Sequence, residues 1–253
     1  MLRDPMIVNG MEGLREIWRP LQTRPLTELS FWMNYQLGGD SPIGFHLVNL
    51  TLHAINTALV WRLLQGLLGS PAAAFAATSV FALHPFQSEA VNYVFARSTL
   101  LMTTFCLGAM WLWIRERFAA AAALFGFALL AKEECVTFPL LLVLLDWSRG
   151  IRVSRERLTA AAAMLGLALA AGLRAIAATA ATPGSGAGFT ASVTPLEYFR
   201  AEGPVIVLRY LRMLVIPYGF TVDPQVDAAP AWVLSVALWG ILAAACGLAL
   251  YKW

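Results

Sequence analysis

The chain has 253 residues, of which 59% are hydrophobic and 13% are charged, about half of the roughly 25% charged residues found in soluble domains. Its formal net charge of +3 is too small to indicate a partner such as nucleic acid. The composition excludes an array of soluble domains and predicts an all-α protein, a polytopic membrane helix bundle.

The predicted elements begin with a polar segment, residues 1–42, that contains two short helices, Gly10–Trp18 and Pro25–Leu37. Residues 43–253 are expected to form a transmembrane bundle of about seven spans, with an interfacial segment near 195–217. The apolar runs that predict helices in this bundle are Ile43–Leu68, Pro71–Leu83, Val91–Ile114, Phe118–Ala131, Cys135–Trp147, Leu158–Thr179 and Ala231–Tyr251.

Three of these helices, Pro71–Leu83, Phe118–Ala131 and Cys135–Trp147, are short for membrane spans. Pro71–Leu83 and Phe118–Ala131 would each measure roughly 20 Å as α-helices, against a hydrocarbon core of about 30 Å. Short or interrupted hydrophobic segments are typical of binding sites recessed into the membrane. We therefore predict a cavity where these two helices end.

Arginines in two predicted loops orient the bundle. One loop contains Arg115 and Arg117, and the other contains Arg149, Arg152 and Arg155 together with the neighbouring Arg157. Since an excess of basic residues marks cytoplasmic loops, we predict that these loops are cytoplasmic. Residues 1–42 and the predicted cavity would then lie on the non-cytoplasmic side.

A string of ionisable residues precedes the long run that ends at Ile114. On a continuous helix Glu89, Tyr93 and Arg97 would share one face, because they are spaced four residues apart. Glu89 and Arg97 would lie about 12 Å apart along the axis, which suits two ends of one ligand better than an ion pair. A second string, Lys132-Glu133-Glu134, interrupts another apolar run, and the two strings together predict a polar site.

Polar residues also form a stripe along the first predicted span. His46, Asn49, His53 and Asn56 recur on one helix face, and we predict that they form hydrogen bonds with neighbouring helices. The two histidines are about 10.5 Å apart along the axis, beyond the reach of one metal ion. We expect no metal and no cofactor, and we interpret the cysteines as packing residues.

The ionisable strings lie in blocks that resemble a known family. The blocks are RPLTELSFWMNYQLGGDSPIGFHLVNLTLHA (Arg24–Ala54), FALHPFQSEAVNYVFARSTLL (Phe81–Leu101), AKEECVTFPLLLVLLDW (Ala131–Trp147) and VLRYLRMLVIPYGFTVD (Val207–Asp223). In this order they resemble the membrane region of the TPR-containing transmembrane O-mannosyltransferases and their bacterial relatives. The resemblance implies a GT-C glycosyltransferase that moves sugar from a polyprenyl-phosphate donor to a protein or glycan acceptor.

The sequence departs from this family at both ends. Family members usually begin with a transmembrane helix followed by an acidic pair that supplies the catalytic carboxylate, and a TPR array follows the membrane region. The resemblance therefore predicts a further helix and acidic pair upstream of Met1. Asp4 lies close to the position of that pair and is a second candidate for the catalytic carboxylate, after Glu89.

The resemblance also implies roles for matching residues. Arg97, Lys132 and Arg24 are candidate partners of the donor phosphate. For Arg97 and Lys132 the alternative is snorkelling or pairing with a neighbouring acid, and for Arg24 it is anchoring of the loop helix. Glu89 and Glu133 are expected either to contact the sugar and orient these cations or to form structural ion pairs.

The remaining candidates have supporting roles. Tyr93 shares the predicted face of Glu89, and His84 is expected to cap a helix end or to form a hydrogen bond. Arg209 and Arg212 are expected to bind lipid headgroups.

Two other classes of function remain open. A polytopic transporter or lipid flippase would have a similar composition, and so would a non-catalytic scaffold or an incomplete, inactive fragment. A bacterial inner membrane or an endoplasmic reticulum membrane is the expected location, with the site on the non-cytoplasmic side.

Overall fold

The computed structural model describes residues 5–19, 22–152, 154–181, 210–216, 236–241, 243–244 and 247. The chain divides into two compact units, Met1–Ala181 and Thr182–Trp253. The regular structure of the described residues is entirely helical, which confirms the predicted all-α class. The helices of the first unit are α1 Pro5–Val8, α2 Gly10–Ile17, α3 Pro25–Gly38, α4 Pro42–Leu68, α5 Pro71–Leu83, α6 Gln87–Asn92, α7 Arg97–Ile114, α8 Phe118–Ala131, α9 Phe138–Ser148 and α10 Arg155–Ala181, with 3₁₀ turns at Val94–Ala96 and Glu133–Thr137.

Three helical segments of the described part are long and apolar enough to cross a membrane, namely Pro42–Leu68, Val94–Ile114 and Arg155–Thr179. The two shorter apolar helices, α5 and α8, begin and end at the residues predicted from the sequence. The chain is therefore a membrane helix bundle in which shorter helices lie between the full-length ones along the sequence. Most of the predicted segment 195–217 and of the predicted span Ala231–Tyr251 lies outside the described residues. The described parts are residues 210–216, with a helical turn at Arg212–Val215, and residues 236–241, 243–244 and 247, which are helical.

The turn between α4 and α5 shows why the short helix begins where the sequence predicts. Gly69 ends α4 in the left-handed conformation, with φ 63°, which costs glycine little. Ser70 then caps α5, its side chain accepting a hydrogen bond from the Ala73 N–H at 3.3 Å. Pro71 occupies the first helical position, where an N–H group would have no partner within the helix, so the missing N–H of proline costs nothing.

The core of the first unit lies between α7, α8, α9 and α10. Trp113, Phe125, Leu142 and Met164 are almost fully buried there. Small residues on α8 let its neighbours approach closely, and Phe125 stacks on Phe138 with ring centroids 5.7 Å apart. Cys106 and Cys135 are free and belong to this packing, as predicted, whereas Cys246 lies outside the described residues.

The polar stripe of α4 faces the bundle for most of its length. Asn56 donates to the Leu100 carbonyl oxygen at 3.1 Å and accepts from Thr104 at 2.7 Å. His53 Nε2 bonds to the Ala82 carbonyl oxygen at 3.1 Å. The predicted interhelical hydrogen bonds are therefore confirmed for these residues and for Asn49, described below, whereas His46 is exposed.

The predicted arginine loop before α10 is shorter than expected. Arg155 and Arg157 belong to the first turn of α10, and Arg157 is buried rather than free in a loop. Its guanidinium contacts Asp146 at 2.7 Å and Glu116 at 2.9 Å. The ion pairs hold the end of α9 and the α7–α8 turn against α10.

Candidate functional site

A cavity of about 320 Å³ lies beside α4 at the place where α5 ends and α7 begins. Helices α4 and α7 supply polar side chains to the cavity wall, and the short helix α6 supplies the carboxylate of Glu89. Its lining residues are His53, Asn56, Phe81, Phe86, Gln87, Glu89, Ala90, Ala96, Thr99, Leu100 and Thr103. It therefore lies at the end of α5, one of the two short helices at which the sequence predicted a cavity, and none of its lining residues belongs to α8.

The cavity owes its shape to a break in the predicted helix Val91–Ile114. The chain leaves helical geometry at Tyr93, where φ is −85° and ψ is 107°. Asn49 of α4 donates to the carbonyl oxygens of Val91 and Tyr93 at 3.4 and 3.5 Å. These side-chain bonds supplement the backbone pairing at the break, where the Tyr93 carbonyl oxygen also accepts from the Ala96 N–H at 2.9 Å.

This break corrects the predicted arrangement of the first ionisable string. Glu89, Tyr93 and Arg97 do not share one face of one helix, because Glu89 lies on α6 and Arg97 begins α7. Glu89 lines the cavity, and no described residue forms an ion pair with it. Tyr93 is half exposed and stacks on Phe95 with centroids 5.3 Å apart.

Arg97 is fully buried beside α3 and α4. Its Nε donates to Asn49 Oδ1 at 2.9 Å, and one terminal nitrogen donates to Asn34 Oδ1 at 2.9 Å. The same terminal nitrogen donates to the Phe45 carbonyl oxygen at 3.0 Å, and the other donates to the Ser30 carbonyl oxygen at 3.2 Å. Four of the five N–H donors of the guanidinium are thus used by protein acceptors.

The position of Arg97 corrects its predicted role as a phosphate partner. Its guanidinium lies 4.4 Å from the centroid of Phe31 and 5.4 Å from that of Phe45, and it is absent from the cavity wall. Arg97 and Lys132 therefore do not converge on one cavity. Arg97 is a positioning residue, because it joins α3 and α4 to the first turn of α7.

Lys132 contacts the cavity wall through one side chain of α7. Its Nζ donates to Thr99 Oγ1 at 3.0 Å, and Thr99 lines the cavity. Nζ also pairs with Glu134 at 2.9 Å, but the Glu134 side chain is 61% exposed. Solvent weakens such a pair, so the ammonium remains able to bind an anion.

Arg24 and Glu133 pair with each other across 109 residues. The guanidinium donates to both carboxylate oxygens, at 2.8 and 3.1 Å, which is the bidentate geometry that arginine favours. Thr27 reinforces the contact by donating to the Ala131 carbonyl oxygen at 2.8 Å. Of the alternatives for Arg24, this structure shows the anchoring contact, which holds α3 against the end of α8.

Burial raises the pKa of Glu133, but the hydrogen bonds from Arg24 and the nearby positive charges outweigh it and lower that pKa below its ordinary value. The same hydrogen bonds raise the pKa of Arg24 against the effect of its own burial. Both groups therefore stay charged at neutral pH. A glutamate with a lowered pKa adds stability at pH values above its ordinary pKa and loses that contribution as the pH falls through the folded-state pKa.

We expect Glu133→Gln to lower the melting temperature at pH 7, because it removes a charge-assisted pair worth about 1 kcal/mol at partial exposure. As the pH falls from 6 to 3.5, the difference in melting temperature between wild type and variant should shrink, since protonation removes the same pair from the wild type. Thermal unfolding in one detergent across this range checks the prediction. Glu12→Gln, at an exposed glutamate, is the control. If the difference in melting temperature between wild type and Glu133→Gln grows on acidification, the prediction is wrong.

Other predicted residues have smaller parts or lie outside the described chain. His84 ends α5 and accepts a hydrogen bond through Nδ1 from the Phe86 N–H at 3.2 Å, which is the helix-end role predicted for it. Asp4 and Arg209 lie outside the described residues. Arg212 begins a short helix of the second unit, and its predicted binding to lipid headgroups stays a prediction.

Sequence reasoning missed three residues beside these groups. Thr99 links Lys132 to the cavity, and no signal in the sequence distinguishes it from other threonines. His53 Nδ1 is buried without a hydrogen-bond partner and belongs to a residue of the cavity wall. Arg174 borders a small void together with Glu133, and its lone charge within an apolar span was a signal for a functional site.

The described residues contain no group of three or more His, Cys, Asp or Glu side chains arranged to hold a metal ion. What the cavity wall does provide is one carboxylate, on α6, and several hydrogen-bonding side chains, one of which, Thr99, accepts a hydrogen bond from the Lys132 ammonium. These groups suit a polar ligand that carries both hydroxyl groups and an anion.

Comparison with known proteins connects this bundle to glycosyltransferases. The chain is 35% identical over 127 residues to the protein O-mannosyl-transferase F38B6.6 of Caenorhabditis elegans, covering 44% of this chain and 18% of that protein. It is 38% identical over 142 residues to the protein O-mannosyl-transferase Tmtc2 of Drosophila melanogaster, covering 51% and 15%. It is 32% identical over 124 residues to human protein O-mannosyl-transferase TMTC3, covering 45% and 13%.

These similarities confirm the resemblance indicated by the four sequence blocks. The chain spans less than a fifth of the length of the three relatives. No protein-family model matches the chain, and no solved structure matches it. The class defined by fold and comparison is thus a membrane helix bundle similar to part of the protein O-mannosyltransferases.

Proposed function

We propose that this chain is part of a GT-C-like membrane glycosyltransferase that moves a mannosyl group from a polyprenyl-phosphate donor to a protein hydroxyl. The observation that carries the proposal is the cavity, whose wall contains the Glu89 carboxylate and Thr99, the hydroxyl group that accepts a hydrogen bond from the Lys132 ammonium. Similarity to three proteins named as O-mannosyltransferases supports the choice of sugar and acceptor.

The reaction needs a base for the acceptor and a cation for the leaving group. The acceptor oxygen forms a bond to the anomeric carbon of the sugar, while the bond between that carbon and the phosphate oxygen breaks. The hydroxyl proton passes to Glu89, and the polyprenyl phosphate leaves with the bonding electrons. Lys132 stabilises the charge on that phosphate.

The surrounding contacts support these assignments. Glu89 has no ion-pair partner among the described residues, so its carboxylate is available to accept a proton or to bind sugar hydroxyls. Asn56 and Thr103 add hydrogen-bonding groups to the same wall. The Arg24–Glu133 pair lies next to Lys132 in the sequence and anchors the loop that carries this lysine to the start of α3.

The proposed reaction takes place on the non-cytoplasmic side. This sidedness rests on the arginines at the opposite end of the bundle, Arg115, Arg117, Arg149 and Arg152, which favour a cytoplasmic location. A bacterial inner membrane or an endoplasmic reticulum membrane would provide both the donor and the orientation.

The decisive experiment incubates the full chain in lipid nanodiscs with polyprenyl-phosphate [³H]mannose and a serine- and threonine-rich peptide. Label on the peptide supports the proposal. The same chain is also reconstituted into sealed vesicles, where label that crosses the membrane without reaching the peptide would support a transporter or flippase instead. Absence of both donor binding and transfer would favour a non-catalytic scaffold.

We expect Lys132→Met to weaken donor binding about 10- to 150-fold, because one charge-assisted hydrogen bond contributes about 1.5–3 kcal/mol. Equilibrium binding of polyprenyl phosphate to the chain in nanodiscs measures this effect. Arg117→Met, which removes an exposed cation at the opposite end of the bundle, is the matched control. Equal losses in both variants would indicate attraction by overall charge and would contradict the site.

A further inference from the structure

A second cavity of about 320 Å³ lies at the opposite end of the bundle, where α7 and α9 end and α10 begins. Its wall is mostly apolar and includes Trp113, Val143, Leu144, Trp147 and Leu158. The charged residues of the wall are Asp146 and Arg157. The proposed transfer reaction uses none of these groups.

Asp146, a residue of this cavity wall, has an unused hydrogen-bonding atom. The residue is 5% exposed, and its Oδ2 accepts hydrogen bonds from Trp113 Nε1 at 2.8 Å and from Arg157 at 2.7 Å. Its Oδ1 is buried without a hydrogen-bond partner. A buried carboxylate oxygen with no donor is costly, so the site favours a ligand that brings an N–H group.

The charge balance indicates that this ligand group is a cation. Arg157 also pairs with Glu116 at 2.9 Å, so one guanidinium serves two carboxylates and the three groups together carry a net negative charge. A ligand ammonium would neutralise that charge and supply the missing donor in one contact.

The surroundings of the cavity indicate that the ligand is a phospholipid. Val143, Leu144 and Leu158 are 43%, 47% and 61% exposed on the apolar surface of the bundle, where acyl chains would lie. Arg149, Arg152 and Arg155 are exposed beside the same helix ends, and arginine is well suited to bind phosphate.

We infer that this cavity binds an amine-bearing phospholipid, with the chemistry of phosphatidylethanolamine. The ammonium group donates to Asp146 Oδ1, the phosphate contacts the exposed arginines, and the acyl chains follow the apolar residues of α9 and α10. The inference is independent of the transfer reaction. It predicts discrimination against phosphatidylcholine, because its quaternary ammonium has no N–H donor.

Native mass spectrometry of the full chain in detergent tests this inference, with equal amounts of phosphatidylethanolamine and phosphatidylcholine that carry the same acyl chains. We expect the wild type to retain the ethanolamine lipid about tenfold better, as one charge-assisted hydrogen bond predicts. The preference should disappear in Asp146→Asn. That change also removes the charge that pairs with Arg157. Leu144→Trp is therefore a second variant, which fills the cavity and leaves the Asp146–Arg157 ion pair intact.

Leu140→Trp is the matched control, because Leu140 lies one turn away on α9, is 52% exposed and is absent from the cavity wall. Loss of the preference in Leu144→Trp, with retention in Leu140→Trp, supports the site even if Asp146→Asn fails to fold. Equal retention of both lipids by the wild type would overturn the inference. The inference is also overturned if Leu144→Trp or a folded Asp146→Asn still prefers the ethanolamine lipid. It is likewise overturned if Leu140→Trp loses that preference.

Discussion

Replacing Arg97 by alanine is expected to lower the free energy of unfolding by about 3–5 kcal/mol, among the largest effects of any single substitution. The change leaves the side-chain oxygens of Asn34 and Asn49 without their donor, together with two backbone carbonyl groups. It also removes the guanidinium that stacks on Phe31 and leaves a void between α3, α4 and α7.

The Arg97→Lys variant separates the contribution of the planar guanidinium from that of the positive charge. Lysine keeps the positive charge but presents three donors at one point instead of a planar fork, so we expect it to restore only part of the stability. Unfolding by a graded increase of denaturing detergent, followed by circular dichroism, measures the free energies. The exposed Arg152→Ala should change them by less than about 0.5 kcal/mol, and a similarly small effect of Arg97→Ala would show that the buried bonds contribute little.

Replacing Glu89 by glutamine is expected to slow sugar transfer by about 100- to 10,000-fold, the usual contribution of a general base. Glutamine has nearly the same shape and still bonds sugar hydroxyls, but it cannot take the proton of the acceptor. Donor binding should therefore change far less than the rate of transfer. Single-turnover transfer from polyprenyl-phosphate mannose, with donor affinity measured on the same preparation, separates the two quantities.

Glu156→Gln is the control for this experiment, since Glu156 is exposed in the first turn of α10 at the opposite end of the bundle. It should transfer sugar at the wild-type rate. If Glu89→Gln lowers donor affinity and rate equally, Glu89 binds the sugar and a different carboxylate is the base. If Glu89→Gln transfers sugar at nearly the wild-type rate, the assignment is wrong.

The Arg97 and Glu89 predictions are connected through one structural feature, the break at Tyr93. Arg97 and the Val91 and Tyr93 carbonyl groups all contact the side chain of Asn49. A single asparagine on α4 thus fixes both the start of α7 and the end of the segment that carries Glu89. We therefore expect a folded Arg97→Lys variant to lose transfer rate as well as stability.

Local sequence signals were sufficient for the elements whose ends are set by the backbone itself. The bounds of α5 follow from Ser70 and Pro71 at one end and from His84-Pro85 at the other, since a residue before proline disfavours helix. Apolar composition predicted the membrane bundle, because burial of apolar surface depends on residue type over a whole segment. The charged strings marked the site region, since charges in apolar segments are costly without a role.

Tertiary structure alone decided how the site is assembled. The run from Val91 to Ile114 has the composition of one continuous helix, and the bonds from Asn49 that support the break at Tyr93 come from another helix, distant in sequence. The hydrogen-bond partners of each cation are likewise distant in sequence. Arg97 is enclosed by α3 and α4, whereas Lys132 donates to Thr99 of the cavity wall. The sequence determined which residues carry charge within the membrane bundle, but long-range hydrogen bonds determined which of those charges are available to a substrate.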